Sequence, residues 1–100
     1  MSLESIAQRL ETRLSDFNGL AARIVFDLGE DGAISIDGTA SPPVLSQEDV
    51  EADCRFRVST EDLGKLIDGS LNPMLAYTMG KLKIDGSMGI AMKVAALLED

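Results

Sequence analysis

The amino-acid sequence predicts an α+β domain in which helices pack on one face of a largely antiparallel sheet. Three observations predict it. Hydrophobic periodicity changes along the chain in the order helix, hairpin, loop, strand, two helices, strand, helix, and that order is satisfied by one helical layer on one sheet. No repeat, low-complexity run or linker divides the 100 residues, a length suited to one hydrophobic core, so residues 1–100 read as a single domain. The last helix is also far more apolar than a solvated terminus, and four of the five methionines fall within residues 72–100.

Residues 2–17 form the first predicted helix. Leu3, Ile6, Ala7, Leu10, Leu14 and Phe17 recur at three- and four-residue steps, with Glu4, Arg9, Glu11 and Arg13 on the other side. Asn18-Gly19 supplies a left-handed residue to end it. Residues 23–28 then alternate, with Ala22, Ile24, Phe26 and Leu28 facing one way and Arg23 and Asp27 the other. After the turn Gly29-Glu30-Asp31-Gly32, Ile34 and Ile36 resume the alternation, which makes a β-hairpin. Residues 37–51 contain Pro42-Pro43 and an acidic run, and read as a surface loop with room for a short strand around Val44.

Residues 53–58 alternate again, Cys54, Phe56 and Val58 against Asp53, Arg55 and Arg57. Ser59 or Thr60 caps a helix with Glu61 and Asp62 in its first turn, Leu63, Leu66 and Ile67 as its buried stripe and Gly69 as its stop. Asn72-Pro73 opens the next helix and Gly80 closes it. Leu82 and Ile84 alternate with Lys81, Lys83 and Asp85 in a strand, and Ser87 caps the final helix.

On that helix Met88, Ala91, Met92, Ala95 and Leu98 share a face, Ile90, Val94 and Leu97 form an adjoining one, and only Lys93 and Glu99 demand water. A peripheral helix needs an apolar stripe of just over ~100°, so two such faces both require cover. The protein's own core, a second chain or an apolar ligand can supply it. The core is the default, because a methionine stripe is more often packing than a binding box. Two details favour a cavity. Gly89, Ala91, Ala95 and Ala96 leave space, and Met74, Met79, Met88 and Met92 can repack around different shapes. The absence of Trp, with one Tyr and three Phe, leaves few bulky fillers.

Charge and composition narrow the function. A net charge of −8 argues against nucleic acid and against tight adsorption to anionic lipid. No apolar run approaches the ~20 residues of a transmembrane helix, and Glu4 and Glu11 interrupt any secretory leader. The absence of His removes the commonest general base and metal ligand, so a Ser-His-Asp triad cannot form. Cys54, on an apolar strand face, is expected to be buried and inert. The carboxylate pairs Glu30-Asp31, Glu48-Asp49 and Glu61-Asp62 sit in turns, loops or first helical turns and read as solvated. Arg23, Arg55 and Arg57 share a polar strand face, where they either pair with Asp27 or Asp53 or grip a headgroup. Nothing in the residues makes a case for an enzyme.

The run Gly80-Lys81-Leu82-Lys83-Ile84-Asp85-Gly86-Ser87-Met88-Gly89-Ile90-Ala91-Met92-Lys93 resembles the signature region of the sterol carrier protein 2 (SCP2) family, with Ser87 where Asn or Asp is usual. The order of elements upstream fits as well, so the resemblance spans nearly the whole chain. It implies a curved, largely antiparallel sheet of about five strands covered by helices, with an apolar tunnel closed by the C-terminal helix. It also implies a non-catalytic lipid-binding or lipid-transfer protein with no cofactor. Such a protein takes a sterol, fatty acid, acyl-CoA, phospholipid or isoprenoid, has no nucleic-acid partner, touches membranes transiently, and exists as monomer or homodimer. The expected lining is Phe26, Ile36, Phe56, Leu66, Met74, Leu75, Met79, Leu82, Ile84, Met88, Met92, Ala95 and Leu98. The alternative is a dimerisation or accessory module, as in isoprenoid quinone synthesis, that uses the same C-terminal helix. The ending Leu98-Glu99-Asp100 is not a peroxisomal tripeptide, and a bacterial cytoplasmic member is expected.

Overall fold

Alternation along the strands decides the architecture, since it gives the sheet one apolar face to bury. The structure, a computed structural model, describes residues 2–98; Glu99, expected to face water, and Asp100 lie outside the described residues. The elements run α1 (Leu3–Thr12), β1 (Arg23–Asp27), β2 (Ala33–Asp37), β3 (Val44–Ser46), β4 (Cys54–Val58), α2 (Thr60–Asp68), α3 (Pro73–Thr78), β5 (Leu82–Gly86) and α4 (Met88–Leu98). The strand order is β3-β2-β1-β4-β5. Three of its four pairings are antiparallel and β1–β4 is parallel, as the largely antiparallel expectation allows.

Register carries the apolar face across the sheet. Ile24 lies opposite Ile36 and Cys54, Phe26 opposite Ile34 and Phe56, Phe56 opposite Ile84, and Val58 opposite Leu82. These side chains meet Ile6 and Leu10 of α1, Leu63 and Leu66 of α2 and Val94 of α4 in one core. The other face is polar. There Arg23 pairs with Asp37 at 3.5 Å, Arg55 with Asp27 at 3.3 Å and Asp49 at 2.5 Å, and Arg57 with Asp85 at 3.0 Å. Residues 47–53 carry the chain over this face from β3 to β4, tied by Asp49 to Arg55 and by Asp53, which accepts from the Arg23 backbone N–H at 2.9 Å.

One sequence expectation needs correction. The helix expected over residues 2–17 ends at Thr12, and Leu14–Phe17 form a 3-10 segment. Arg13 leaves helical geometry at φ −111° and ψ 11°, which turns its side chain toward two other helices while Phe17 stays buried. The loop expected over 37–51, with room for a short strand around Val44, does hold one there, β3.

Candidate functional site

The two helices that carry the methionines are set by their caps. Asn72 Oδ1 accepts from the backbone N–H groups of Met74 at 2.8 Å and Leu75 at 3.1 Å, and Pro73 occupies the first turn, where its missing N–H costs nothing. Ser87 Oγ accepts from the Ile90 N–H at 3.3 Å and starts α4. Before it stands Gly86 at φ +114°, where a Cβ would lie 2.4 Å from the Asp53 carbonyl oxygen. Only glycine fits both that conformation and that approach. The junction is secured by the Ser87 N–H, which donates to the Asp53 carbonyl at 3.0 Å.

The far end of α4 is held by Arg13. Its guanidinium donates to the Ile67 carbonyl at the end of α2 at 3.1 Å and to the Leu97 carbonyl at the end of α4 at 2.7 Å. A cation there also suits the negative ends of both helix dipoles. Periodicity assigns Arg13 only to the polar side of α1, because its partners lie 54 and 84 residues away in sequence. No local signal could have found this role.

The thirteen residues expected around one tunnel divide into two sets. Phe26, Ile36, Phe56, Leu66, Leu82 and Leu98 are buried, with the rings of Phe26 and Phe56 stacked at 5.3 Å, and Ile84 and Ala95 are half-buried. Met74, Leu75, Met79, Met88 and Met92 are exposed at 53%, 53%, 54%, 49% and 61%. The protein's own core therefore supplies only part of the cover that the two apolar faces of α4 require. The core takes the seam between them, burying Ala91 and Leu98 from one and Val94 from the other, while Met88 and Met92 face outward. A helix resting on a sheet hides one arc of its surface, and the packed arc here runs through both predicted faces. Depressions of about 450 and 410 Å³ lie elsewhere, and of the thirteen residues only Ile36 lines either.

The remaining candidates behave as structural groups. Burial pushes the Cys54 thiol above its ordinary range, with a smaller push from the Asp85 charge. The hydrogen bond from Arg55 holds the Asp49 carboxyl below the usual range and raises Arg55 in turn. Arg23, Arg55 and Arg57 thus meet carboxylates of the protein itself, Arg55 with Asp27 as the cross-strand reading expected. No helix among the described residues is long and apolar enough to cross a membrane.

A five-stranded, mostly antiparallel sheet with its helices on one face, and a methionine-rich helix pair α3–α4 at the β5 end, defines a small α+β domain of the sterol-carrier type. Comparison with known proteins agrees. The sequence model of the SCP-2 sterol transfer family matches residues 3–99. Sterol carrier protein 2 of Bos taurus is 46% identical over 54 residues, 54% of this chain and 10% of that protein, so the match spans about a tenth of that relative's length. Palmitated SCP2L2 from Aedes aegypti superposes with a TM-score of 0.77 at 19% identity, covering 100% of this chain and 96% of the other. The UbiJ-SCP2 ubiquinone synthesis protein superposes with a TM-score of 0.62 at 19% identity, covering 89% and 76%. The chain belongs to the SCP-2 sterol transfer family.

Proposed function

We propose that this protein is a non-catalytic cytoplasmic carrier that binds the apolar part of a sterol, fatty acid, acyl-CoA, phospholipid or isoprenoid between the α3–α4 pair and the sheet. The observation that carries this reading is the group of five half-exposed apolar side chains, four of them methionines, on two adjoining helices, α3 against β5 and α4 against β4 and β5. Soluble monomers seldom leave such a patch uncovered, and methionine adapts to ligands of different shape. A ligand that enters beside Met88 and Met92 and parts α4 from the sheet would reach Phe56, Leu82 and Leu98. The palmitated state of the Aedes aegypti protein supports the same ligand class for this one.

Burying a methylene contributes ~0.8 kcal/mol, so a long acyl chain gains on the order of 10 kcal/mol gross before ordering and headgroup desolvation oppose it. Because that gain is nondirectional, affinity follows chain length more than headgroup geometry, and the expected specificity is broad. Native mass spectrometry of freshly purified protein tests the proposal together with titration of a fluorescent fatty acid. The expected result is one bound lipid per chain and saturable enhancement. No bound mass and no saturable change overturns it.

A second reading is favoured by the same uncovered face and by the likeness to the UbiJ-SCP2 ubiquinone synthesis protein: the patch is an interface for a second copy or an accessory partner. A dimer without lipid in the mass spectrum selects that reading.

A further inference from the structure

Resting on the carrier reading, we propose that the groove at the end of the sheet where β1, β4 and β5 meet is a site for the phosphate headgroup of an anionic amphiphile. The groove has a volume of about 410 Å³, and Arg57, Lys81, Lys83 and Asp27 supply its charged lining. Leu28 and Val58 add apolar surface.

Three cations around one groove are unexpected in a chain with nine Lys and Arg against 17 Asp and Glu. Elsewhere the arginines are matched: Arg9 with Asp68, Arg23 with Asp37, and Arg55 with Asp27 and Asp49. Asp27, the carboxylate lining the groove, is already engaged. Its Oδ2 faces Arg55 at 3.3 Å and its Oδ1 accepts from the Gly29 N–H at 3.0 Å. Arg57 meets Asp85 at 3.0 Å, but Lys81 and Lys83 have no ion pair among the described residues.

Register sharpens the point. Arg57 lies directly opposite Lys83 on the polar face of the β4–β5 pair, and like charges in that position oppose pairing of the strands. A shared anion between them turns the repulsion into attraction. A guanidinium fork with two ammonium groups suits the several oxygens of a phosphate. Chain connectivity links the groove to the exposed apolar residues of α3. Gly80, in its lining, follows Met79, and Leu75 lies one turn before Met79 on α3, so a chain attached to the bound phosphate can run along exposed apolar side chains.

Decyl phosphate, decanol and inorganic phosphate, titrated at low salt with calorimetry and backbone amide shifts, test the proposal. Decyl phosphate is expected to bind at least tenfold tighter than either decanol or inorganic phosphate and to shift the amides of residues 80–83. A solvent-exposed ion pair is worth up to about fivefold, so Lys81→Gln with Lys83→Gln removes the preference over decanol, while Lys65→Gln keeps it. Lys83→Gln alone is expected to leave the unliganded protein equally or more stable, as relief of like-charge opposition requires. Equal affinity for decyl phosphate and decanol, or a preference that survives the double substitution, overturns the headgroup site and leaves the carrier standing. Inorganic phosphate binding as tightly as decyl phosphate overturns the amphiphile as its source. Failure of both decyl compounds to bind overturns the carrier and the site together.

Discussion

Replacing Arg13 with Met is expected to destabilise the protein by about 2 kcal/mol while leaving the aliphatic stem in place. The guanidinium makes two charged hydrogen bonds, 3.1 Å to the Ile67 carbonyl and 2.7 Å to the Leu97 carbonyl. Bonds to charged groups contribute about 1.5–3 kcal/mol each. The Arg13 side chain is 22% exposed, so the freed carbonyls reach water and the lower end of that range applies. Its 3.6 Å contact with Asp16 adds little, being exposed on the aspartate side. The gross loss is then about 3 kcal/mol, and because the methionine stem stays ordered the recovered side-chain freedom offsets only about 1 kcal/mol, which leaves the net near 2 kcal/mol. At about 4–8 °C per kcal/mol for a domain of this size, Tm falls by about 8–16 °C. Urea unfolding followed by circular dichroism measures the change, which should appear in the midpoint with the slope unaltered. Amide exchange should accelerate most in the last turn of α4, and Arg13→Lys, a point charge without the fork, should recover only part of the loss. A change below about 0.5 kcal/mol, the ordinary scatter of surface substitutions, would show that Arg13 is hydrated in solution and does not join α2 to α4.

Three further outcomes follow from the same structure. Gly86→Ala forces a Cβ to 2.4 Å from the Asp53 carbonyl at φ +114°, and the combined clash and strain are expected to cost about 3 kcal/mol or more in chemical denaturation. Met88→Ser with Met92→Ser alters two side chains that are about half exposed or more, so stability should stay within about 1 kcal/mol while affinity for a fluorescent fatty acid drops at least tenfold if the uncovered face meets ligand. The pH dependence has a definite sign: Asp37, held down by hydrogen bonds from Thr39, and Asp49, held down by Arg55, both titrate below their ordinary range when folded. Their contribution is therefore present above the unfolded carboxylate value of about 3.9 and is lost as pH falls through the lower folded values. Asp49→Asn should flatten the fall in stability below about pH 4, and an unchanged acid profile would refute the role of its pairing with Arg55.

Much of the fold is legible in local pattern. Alternation at Ile24, Phe26, Ile34, Ile36, Cys54, Phe56 and Val58 names the buried side of three strands, and all seven residues are buried in one core. Ser59, Asn72 and Ser87 mark helix starts through hydrogen bonds that span two or three residues. The 3-10 segment after Thr12 is not legible and β3 is legible only as room for a strand around Val44, because each depends on partners outside its own segment: Arg13 on Ile67 and Leu97, β3 on β2.

The candidate site shows the same division. Its composition is written in the chain as the run of methionines and small residues through α3 and α4, together with the Gly86-Ser87 junction that starts α4. Which of those side chains meet the core is a different matter. The sequence offers α4 two apolar faces of similar merit, and hydrophobicity is nondirectional, so periodicity cannot choose between them. Only the placement of α4, set by Gly86 against Asp53 at one end and by Arg13 on Leu97 at the other, buries Ala91, Val94 and Leu98 and leaves Met88 and Met92 outside. The residue types of the apolar surface were therefore determined locally, whereas its position on the molecule was decided by contacts that exist only once the sheet has formed.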